Sequence, residues 1–517
     1  IDLNGKSITT VLENTIVNKG NLKIVDSNTE SQGTITIDLA GNKEYASGIV
    51  NESTGKIEIT GAITITGKGV YSNIISNKGK ITATDTKLIS NGTYVNGQTG
   101  IRLISNTGIL NLNDTTIKHI SGRYTYGIYN ETGTVNIDGL ITQEGGRAID
   151  TYEGEVNITG TVTREGIGTL IYLAQKSSAS EGTKLDIENA TIVDNQTTSQ
   201  MMYGDKGKIK IYNSNIKAKT SVLGIGTNGV GVDITIEKSK ITSSNSTVIS
   251  QYKGNTEIKD SDIIYNGTYS YGSIQFRSTG NLTITGESNI TSTGEKAIEL
   301  TSTGNTSIKG EVNVEGAKYG IYNSSTGTIT LGENDSEVDR TYPCITGGEY
   351  GIYQSNSNGK FNFYDGQVKG KTGTIYGTIT EIASGYEISK TNGDYYTDIL
   401  VKSGVEVSVA KIGEVTYTSI QDAIAACPEG TQKTITIENN IIATSTITIP
   451  QGKDIILDLN GFTIIGENVD NVIENNGTLT ILDGLNRGGK IENTSGTAIG
   501  GNGTLTVDSS ATIVNGN

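Results

Sequence analysis

"GTVNIDGLITQ", residues 133–143, is followed within one coil's length by "GEVNITGTVTR", residues 154–164. Each stretch opens on glycine, alternates apolar with polar side chains, breaks at a small or polar residue and alternates again. Period-2 alternation marks half-buried strands, so each stretch reads as two strands around a break. The opening phrase, Gly, any residue, then apolar–x–apolar, recurs as "GKIEI" (55–59), "GKITA" (79–83), "GILNL" (108–112), "GKIKI" (207–211), "GNLTI" (280–284), "GTITL" (327–331) and "GKFNF" (359–363). From Gly55 to Gly327 the phrase steps eleven times at a mean of 24.7 residues, with single steps of 21 to 29. A third strand precedes the marker glycine, as in "GIVN" (48–51), "GIYN" (127–130) and "AIEL" (297–300). Three short strands in about 25 residues describe one coil of a parallel β-helix, an all-β solenoid. One coil cannot bury its apolar row alone, and stacking many coils builds a continuous narrow core.

Composition agrees. The 517 residues include 68 Gly, 3 Pro, 2 Met and no Trp, with 34% hydrophobic residues. Ile, Val and Thr suit a pleated surface, while Gly and Asn suit turns that need positive φ. The formal net charge is −15 and Lys and Arg are not clustered, which excludes nucleic acid as an expected partner. No stretch reaches the roughly 18–20 apolar residues of a membrane span. The chain starts with Ile1 rather than Met, so the natural N-terminus is expected upstream. Cys344 and Cys427 are too few for a disulfide framework and leave the redox compartment open.

The three-strand coil resembles the right-handed β-helix of the pectin-lyase-like superfamily. The stretch "YTSIQDAIAACPEGTQKTITIENNIIATSTITIPQGKDIILDLNGFTI" (417–464) is similar to the unit openings of large tandem-repeat surface proteins of Gram-positive bacteria. The resemblance extends over essentially the whole chain. It implies a right-handed coil, and it leaves activity open, because the superfamily includes lyases, hydrolases, tailspikes and inert adhesin stalks.

The two ends of the sequence share wording. "IDLNG" (1–5) returns as "LDLNG" (457–461), "NKGNLKIVD" (18–26) as "NNGTLTILD" (475–483) and "SGIVNESTGKIEI" (47–59) as "GTAIGGNGTLTV" (496–507). The last sixty or so residues thus read as a second copy of the first. Before the second copy, "SIQDAIAAC" (419–427) predicts a short helix, with Ile420, Ala423, Ile424 and Cys427 as one apolar stripe. Ser419 or Thr418 would serve as N-cap, and Pro428 with Gly430 would end it. Such a helix would cover the open first coil of a solenoid, which would otherwise be a sticky edge. The expected layout is a β-helix unit over 1–380, a short-strand junction over 381–417 and the start of a second unit over 418–517. The offset implies tandem units of about 456 residues, each of about 18 coils and a rod near 85 Å long at about 4.8 Å per coil.

Catalytic candidates are few. His119 is the only histidine and lacks the flanking glycines of a "GHG" site, so it reads as structural. No Asp pair stands out as an acid/base couple. Arg487, in "GLNRGGK", could be imagined as a lyase base, but the matching stretch "SNTESQG" (27–33) has no arginine. The acidic stretch "ENDSEVD" (333–339) lacks the glycine-anchored spacing of a Ca²⁺ loop and reads as a solvated loop. The "TIT" triplets share their positions with Lys, Glu and Asn, which argues against a flat threonine face.

The tyrosines repeat a phrase: "YGIYN" (126–130), "YGIYN" (319–323) and "YGIYQ" (350–354). This predicts an aromatic ladder built from Tyr126, Tyr129, Tyr319, Tyr322, Tyr350 and Tyr353, with Tyr322 and Tyr353 stacked on successive coils. A sugar-stacking platform is the competing reading. The sequence as a whole points to a non-catalytic extracellular structural or adhesive protein of a bacterial surface. It would be a stalk or filament that associates with itself, with host or environmental glycans as further partners and no cofactor. The rival expectation is a polysaccharide-binding or polysaccharide-degrading β-helix.

Overall fold

Inward-facing isoleucines set the architecture. In one row of strands Ile16, Ile49, Ile75, Ile104, Ile128, Ile149 and Ile171 occupy the same register position on seven consecutive coils. Met202, Leu223, Ile249, Ile274, Ile298, Ile321, Ile352 and Ile375 carry the column onward. Fully burying one such side chain is worth about 1.5–3 kcal/mol, and the column repeats that gain at each coil from Ile49 to Ile352. The computed structural model describes all residues except 40–45, 70–71, 91–100, 120–125, 144–145, 166–167, 175–181, 197–199, 226–230, 336, 392, 403–407 and 517, and except the side chains of His119 and Gln143.

The fold is an all-β, right-handed parallel solenoid of about 18 turns and about 25 residues per turn, with a single short helix among the described residues. Row one holds the strands that follow the marker glycine, such as Lys56–Thr60 and Lys80–Thr84. Row two follows after a tight turn, as in Thr64–Gly69 and Lys87–Ser90. Row three holds Ser47–Asn51, Asn73–Asn77 and their successors in a 15-stranded parallel sheet. In Ile109–His119, Thr134–Gln143, Glu155–Arg164 and Thr183–Asp194 rows one and two run together as one bent strand. The bend falls on residues with positive φ, among them Asp114, Gly139, Gly160 and Asn189, the residue types that tolerate the left-handed region.

The marker glycine has a packing reason. A Cβ on Gly108 would overlap the carbonyl oxygen of Gly79, and one on Gly304 that of Gly280, each the marker one coil earlier. The turn from row three to row one therefore stacks backbone directly on backbone. Its inner corner is filled by asparagines. Asn18, Asn51, Asn77, Asn106 and Asn130 share one register column, and each Nδ2 donates to the Oδ1 of the next at 2.7–2.9 Å. Asn130 ends the run on the Thr151 hydroxyl at 3.2 Å. Each amide also donates to turn carbonyls, as Asn106 does to Gly108 and Thr134. A buried side-chain amide is tolerated because its hydrogen bonds are made.

The structure holds two separate cores. One runs from Leu3 to Leu400, the other from Ala410 to Ala498. Between them the sheets end in antiparallel pairs. The hairpin Tyr386–Thr391 and Tyr396–Lys402 lays its second arm antiparallel on Gln367–Gly370. The hairpin Ala410–Ile412 and Val415–Tyr417 pairs antiparallel with Gln432–Ile437. An antiparallel strand on the last parallel coil stops the ladder from recruiting another, one way of managing an open edge.

The helix spans Ile420–Ala426. Ser419 is its N-cap, accepting the Asp422 amide at 3.0 Å and donating its hydroxyl to the Asp422 carboxylate at 2.7 Å. Ile420, Ala423, Ile424 and Cys427 are buried in the second core. The helix packs on the strands Ala410–Ile412, Val415–Tyr417, Gln432–Ile437 and Ile447–Ile449. Lys453 Nζ donates to the carbonyls of Ala425 and Cys427 at the helix C-terminus, where the macrodipole favours a cation.

Candidate functional site

The outer face of row three carries two patches of stacked tyrosines with an arginine or lysine laid against them. Its strands present two outward residues per coil, the first and fourth of "YGIYN". The first column runs Asn73, Arg102, Tyr126, Arg147, and the second Ser105, Tyr129, Asp150, Tyr172, Tyr203. Further along, the first column holds Lys296, Tyr319 and Tyr350, and the second Glu299, Tyr322, Tyr353 and Tyr376.

The six tyrosines singled out above fall into two patches. Tyr322 and Tyr353 stack with centroids 5.5 Å apart and planes 8° from parallel, and Tyr353 stacks on Tyr376 at 4.5 Å and 7°. Tyr319 and Tyr350 lean on the same column, Tyr319 lying 4.8 Å from Tyr353 and Tyr350 5.7 Å. Tyr126 and Tyr129 belong to the other patch, 6.0 Å apart and tilted by 53°. Tyr129 contacts Tyr152 at 5.2 Å, and Tyr172 stacks on Tyr203 at 5.3 Å and 7°. Tyr152, Tyr172, Tyr203 and Tyr376 belong to the ladders but stand outside the exact phrase, so the search for "YGIY" missed them.

A cation from one coil covers a ring of the next in a repeated arrangement. Arg102 lies 3.6 Å from the Tyr129 centroid, Arg147 3.5 Å from Tyr172 and Lys296 4.2 Å from Tyr322. Ring against ring at 4.5–5.5 Å and guanidinium against ring at about 3.5 Å leave no room between them for a pyranose ring. A sugar platform needs an open face; within each stack the faces are closed by their neighbours, and the exposed ring of Tyr376 ends its column. The arrangement favours the ladder over the platform.

Asp150 sits inside the first patch. Its side chain is wholly buried, its Oδ2 accepts from Arg147 Nη1 at 3.0 Å, and its Oδ1 has no hydrogen-bond partner. Burial pushes its carboxyl up to about 6, and the charges of Arg147 and Arg102 offset only part of that. Tyr172 donates its hydroxyl to Asp205 at 2.7 Å. Burial first, and that hydrogen bond second, raise the Tyr172 phenol. Two carboxylates thus flank Tyr172, beside one arginine.

Sequence reasoning also missed a buried ion pair. Arg164 and Asp194 are both wholly buried, joined by two hydrogen bonds of 2.8 and 2.7 Å. Thr220 donates to the same carboxylate at 3.2 Å, and Arg164 also donates to the carbonyl of Gly168. The two residues pair in register at the ends of consecutive strands. The signal was present in the alternation, which places both at inward positions.

The remaining candidates are dispersed. His119 ends the strand Ile109–His119, and its side chain lies outside the described residues. Arg487 is exposed, and it is its backbone amide that bonds, to Asp483 Oδ2 at 2.7 Å. The acidic loop is held from below by Asp365, which accepts the amides of Glu333 at 2.7 Å and Asp339 at 2.9 Å. Among the described residues no three His, Cys, Asp or Glu side chains gather as a metal site. Thr34 and Thr64 share a column with Lys87, and Thr36 and Thr66 share theirs with Ile89, so no continuous threonine face forms there. Cys344 and Cys427 are both free. Among the described residues no helix is long and apolar enough to cross a membrane.

Comparison of the chain with protein-family models, with curated proteins and with solved structures returned no match.

Proposed function

We propose that the chain is part of a non-catalytic extracellular protein of a bacterial surface, a β-helical stalk or filament built from tandem units of about 456 residues. The observation that carries this reading is the matching set of four backbone bonds in its two "DLNG" turns. In the first, Asp2 accepts the amides of Asn4 and Ser27, and Asp26 those of Gly5 and Gly33. In the second, Asp458 accepts the amides of Asn460 and Gly484, and Asp483 those of Gly461 and Gly489. One coil-forming device used twice on one chain, with terminated sheets between, supports a string of like units rather than an enzyme with one cleft. The tyrosine ladders support it too, since inside each stack the rings spend their faces on each other. The resemblance to pectin-lyase-like coils and Gram-positive surface repeats is the basis for placing the protein outside a bacterial cell. Its partners on this reading are further units of its own kind, with glycans as secondary targets.

Electron micrographs of the native full-length protein test the proposal. Thin rods or beaded filaments with a repeat of about 85–110 Å are expected, the upper figure allowing for an extended connector. A compact monodisperse particle would overturn it, as would release of unsaturated sugars from acidic polysaccharides.

A further inference from the structure

Along the second outward column of row three, Asp150 stands where its neighbours Tyr129 and Tyr172 carry rings. Those two residues are therefore two coils apart, about 9.6 Å at roughly 4.8 Å per coil, and an uninterrupted ladder would place a ring between them. The gap is filled from the first column instead. The Arg147 guanidinium lies 3.5 Å from the Tyr172 centroid and gives one hydrogen bond to Asp150. Tyr152 closes the gap on the Tyr129 side at 5.2 Å. The arrangement leaves a wholly buried carboxylate with one oxygen bonded and the other without a donor. An ionised group so placed is under-solvated, and most of what holds it is the charge of Arg147.

We propose that Arg147 and Asp150 form a proton-operated latch: ionised Asp150 holds the guanidinium in the gap between Tyr129 and Tyr172, and protonation lets it swing out and opens a slot one coil high between the two rings. The side chain of Arg147 is 36% exposed, so it can leave without disturbing the core residues Ala148 and Ile149 beneath it. Once Asp150 is neutral, only the face of Tyr172 holds the guanidinium, a weak contact at a site open to water and opposed by hydration of the released cation. The described groups that face Asp150 are Arg147 on its own strand, Tyr126 and Tyr129 on the preceding coil, Arg102 one coil before that, Tyr172 on the following coil and Tyr152 in the adjoining turn. Asp205 acts on Tyr172 from the far side. Burial raises the Asp150 carboxyl to about 6, so mild acidification reaches it while ordinary surface carboxylates, at about 4, stay ionised.

The test is ¹⁹F NMR of the protein labelled with 3-fluorotyrosine, from pH 4.5 to 7.5, with the Tyr172 signal assigned through Tyr172→Phe. The Tyr172 signal should move with a midpoint near 6 in the parent protein. In Asp150→Asn it should rest near its acid position throughout, and in Arg147→Met the midpoint should disappear. Asp205→Asn separates the alternative source of titration: the midpoint persists there if Asp150 is the group, and its loss would overturn the latch. A pH-invariant Tyr172 signal in the parent, or an unchanged midpoint in Asp150→Asn, would also overturn it. Should Asp150→Asn or Arg147→Met fail to fold, Arg147→Lys keeps the charge without the flat group. The latch then requires a smaller displacement of the Tyr172 signal, and an unchanged amplitude would count against it.

Discussion

Asp26 and Asp483 do the same work in two different solenoids. Each is the carboxylate onto which the glycine amides of its "DLNG" turn and of the following loop converge, Gly5 and Gly33 in one, Gly461 and Gly489 in the other. Even the crowding matches: a Cβ on Gly33 would meet Leu3 and Asp26, and one on Gly489 would meet Leu459 and Asp483. The shared tetrapeptide is thus a three-dimensional part, a carboxylate-centred knot that fixes where one coil hands over to the next.

Asp483 gives the first prediction. Burial pushes its carboxyl up, but the amides of Gly489, Arg487 and Gly461 outweigh that and hold it below the usual carboxylate range. A depressed folded value means stability that is present above the ordinary aspartate value and lost as pH falls below it. Asp483→Asn should weaken the second solenoid at neutral pH by about 2 kcal/mol or more and flatten its acid sensitivity. Urea unfolding at pH 3 to 7, followed by hydrogen exchange of residues 454–493, measures both effects.

Asp150 should behave in the opposite sense. Its folded value, about 6, lies above the unfolded one, so its contribution is full below about 4 and is lost as pH rises through 6, an effect of roughly 3 kcal/mol. Asp150→Asn should remove that slope. Denaturation of both proteins at pH 4.5 and 7 decides the matter, and an equal slope in the two would reject the assignment.

The asparagine column can be cut in the middle. Asn77→Ala removes the acceptor of Asn51 and the donor to Asn106 and Ile109, leaving buried polar atoms short of partners. A loss of about 2–4 kcal/mol is expected, spread over neighbouring coils because each amide orients the next. Native-state hydrogen exchange should show faster opening from about residue 47 to 110.

Tyr353 lies between two stacked rings. Tyr353→Ala should cost about 1–3 kcal/mol from two lost stacking contacts, since such pairs are worth about 0.5–1.5 kcal/mol each. Tyr353→Phe keeps the ring and should stay within about 0.5 kcal/mol. Equal losses in the two variants would assign the effect to the hydroxyl.

The internal pair Arg164–Asp194 predicts strong non-additivity. Removing one partner, as in Arg164→Met, strands a buried charge and should cost about 3–5 kcal/mol. Arg164→Met with Asp194→Leu removes both charges and should recover much of that loss. A double-mutant cycle by chemical denaturation reads the coupling, and simple additivity would contradict it.

These residues also show what could be read from the chain and what could not. The strand rows were legible because the apolar alternation, the marker glycine and the break residue all repeat at one spacing, so many weak signals agree. The helix was legible from one stripe and a serine cap. Arg164 and Asp194 were hidden because their inward column varies from coil to coil, holding Thr142, Ala218, Ser243, Tyr265 and Ser292 at the same register position, so no repeated residue type singles out the two charges. Asp150 was hidden for a different reason. Its environment is made by tyrosines and an arginine on other coils, and only the register says which of them meet. The antiparallel hairpins at the junction escaped because short strands there follow no repeat at all.

One consequence follows from the direction of the backbone ladders. In a solenoid the inter-coil hydrogen bonds point along the long axis, so a pull on the two ends loads them head-on and one coil after another, as in a zip, and not all together as in sheared strands. Each coil that yields would release about 25 residues, roughly 80 Å of slack at about 3.3 Å per residue. Because the two cores are separate, unravelling in one stops at its own last coil. A chain of such units would lengthen in many small steps under load, a shock absorber with a firebreak between every pair of segments.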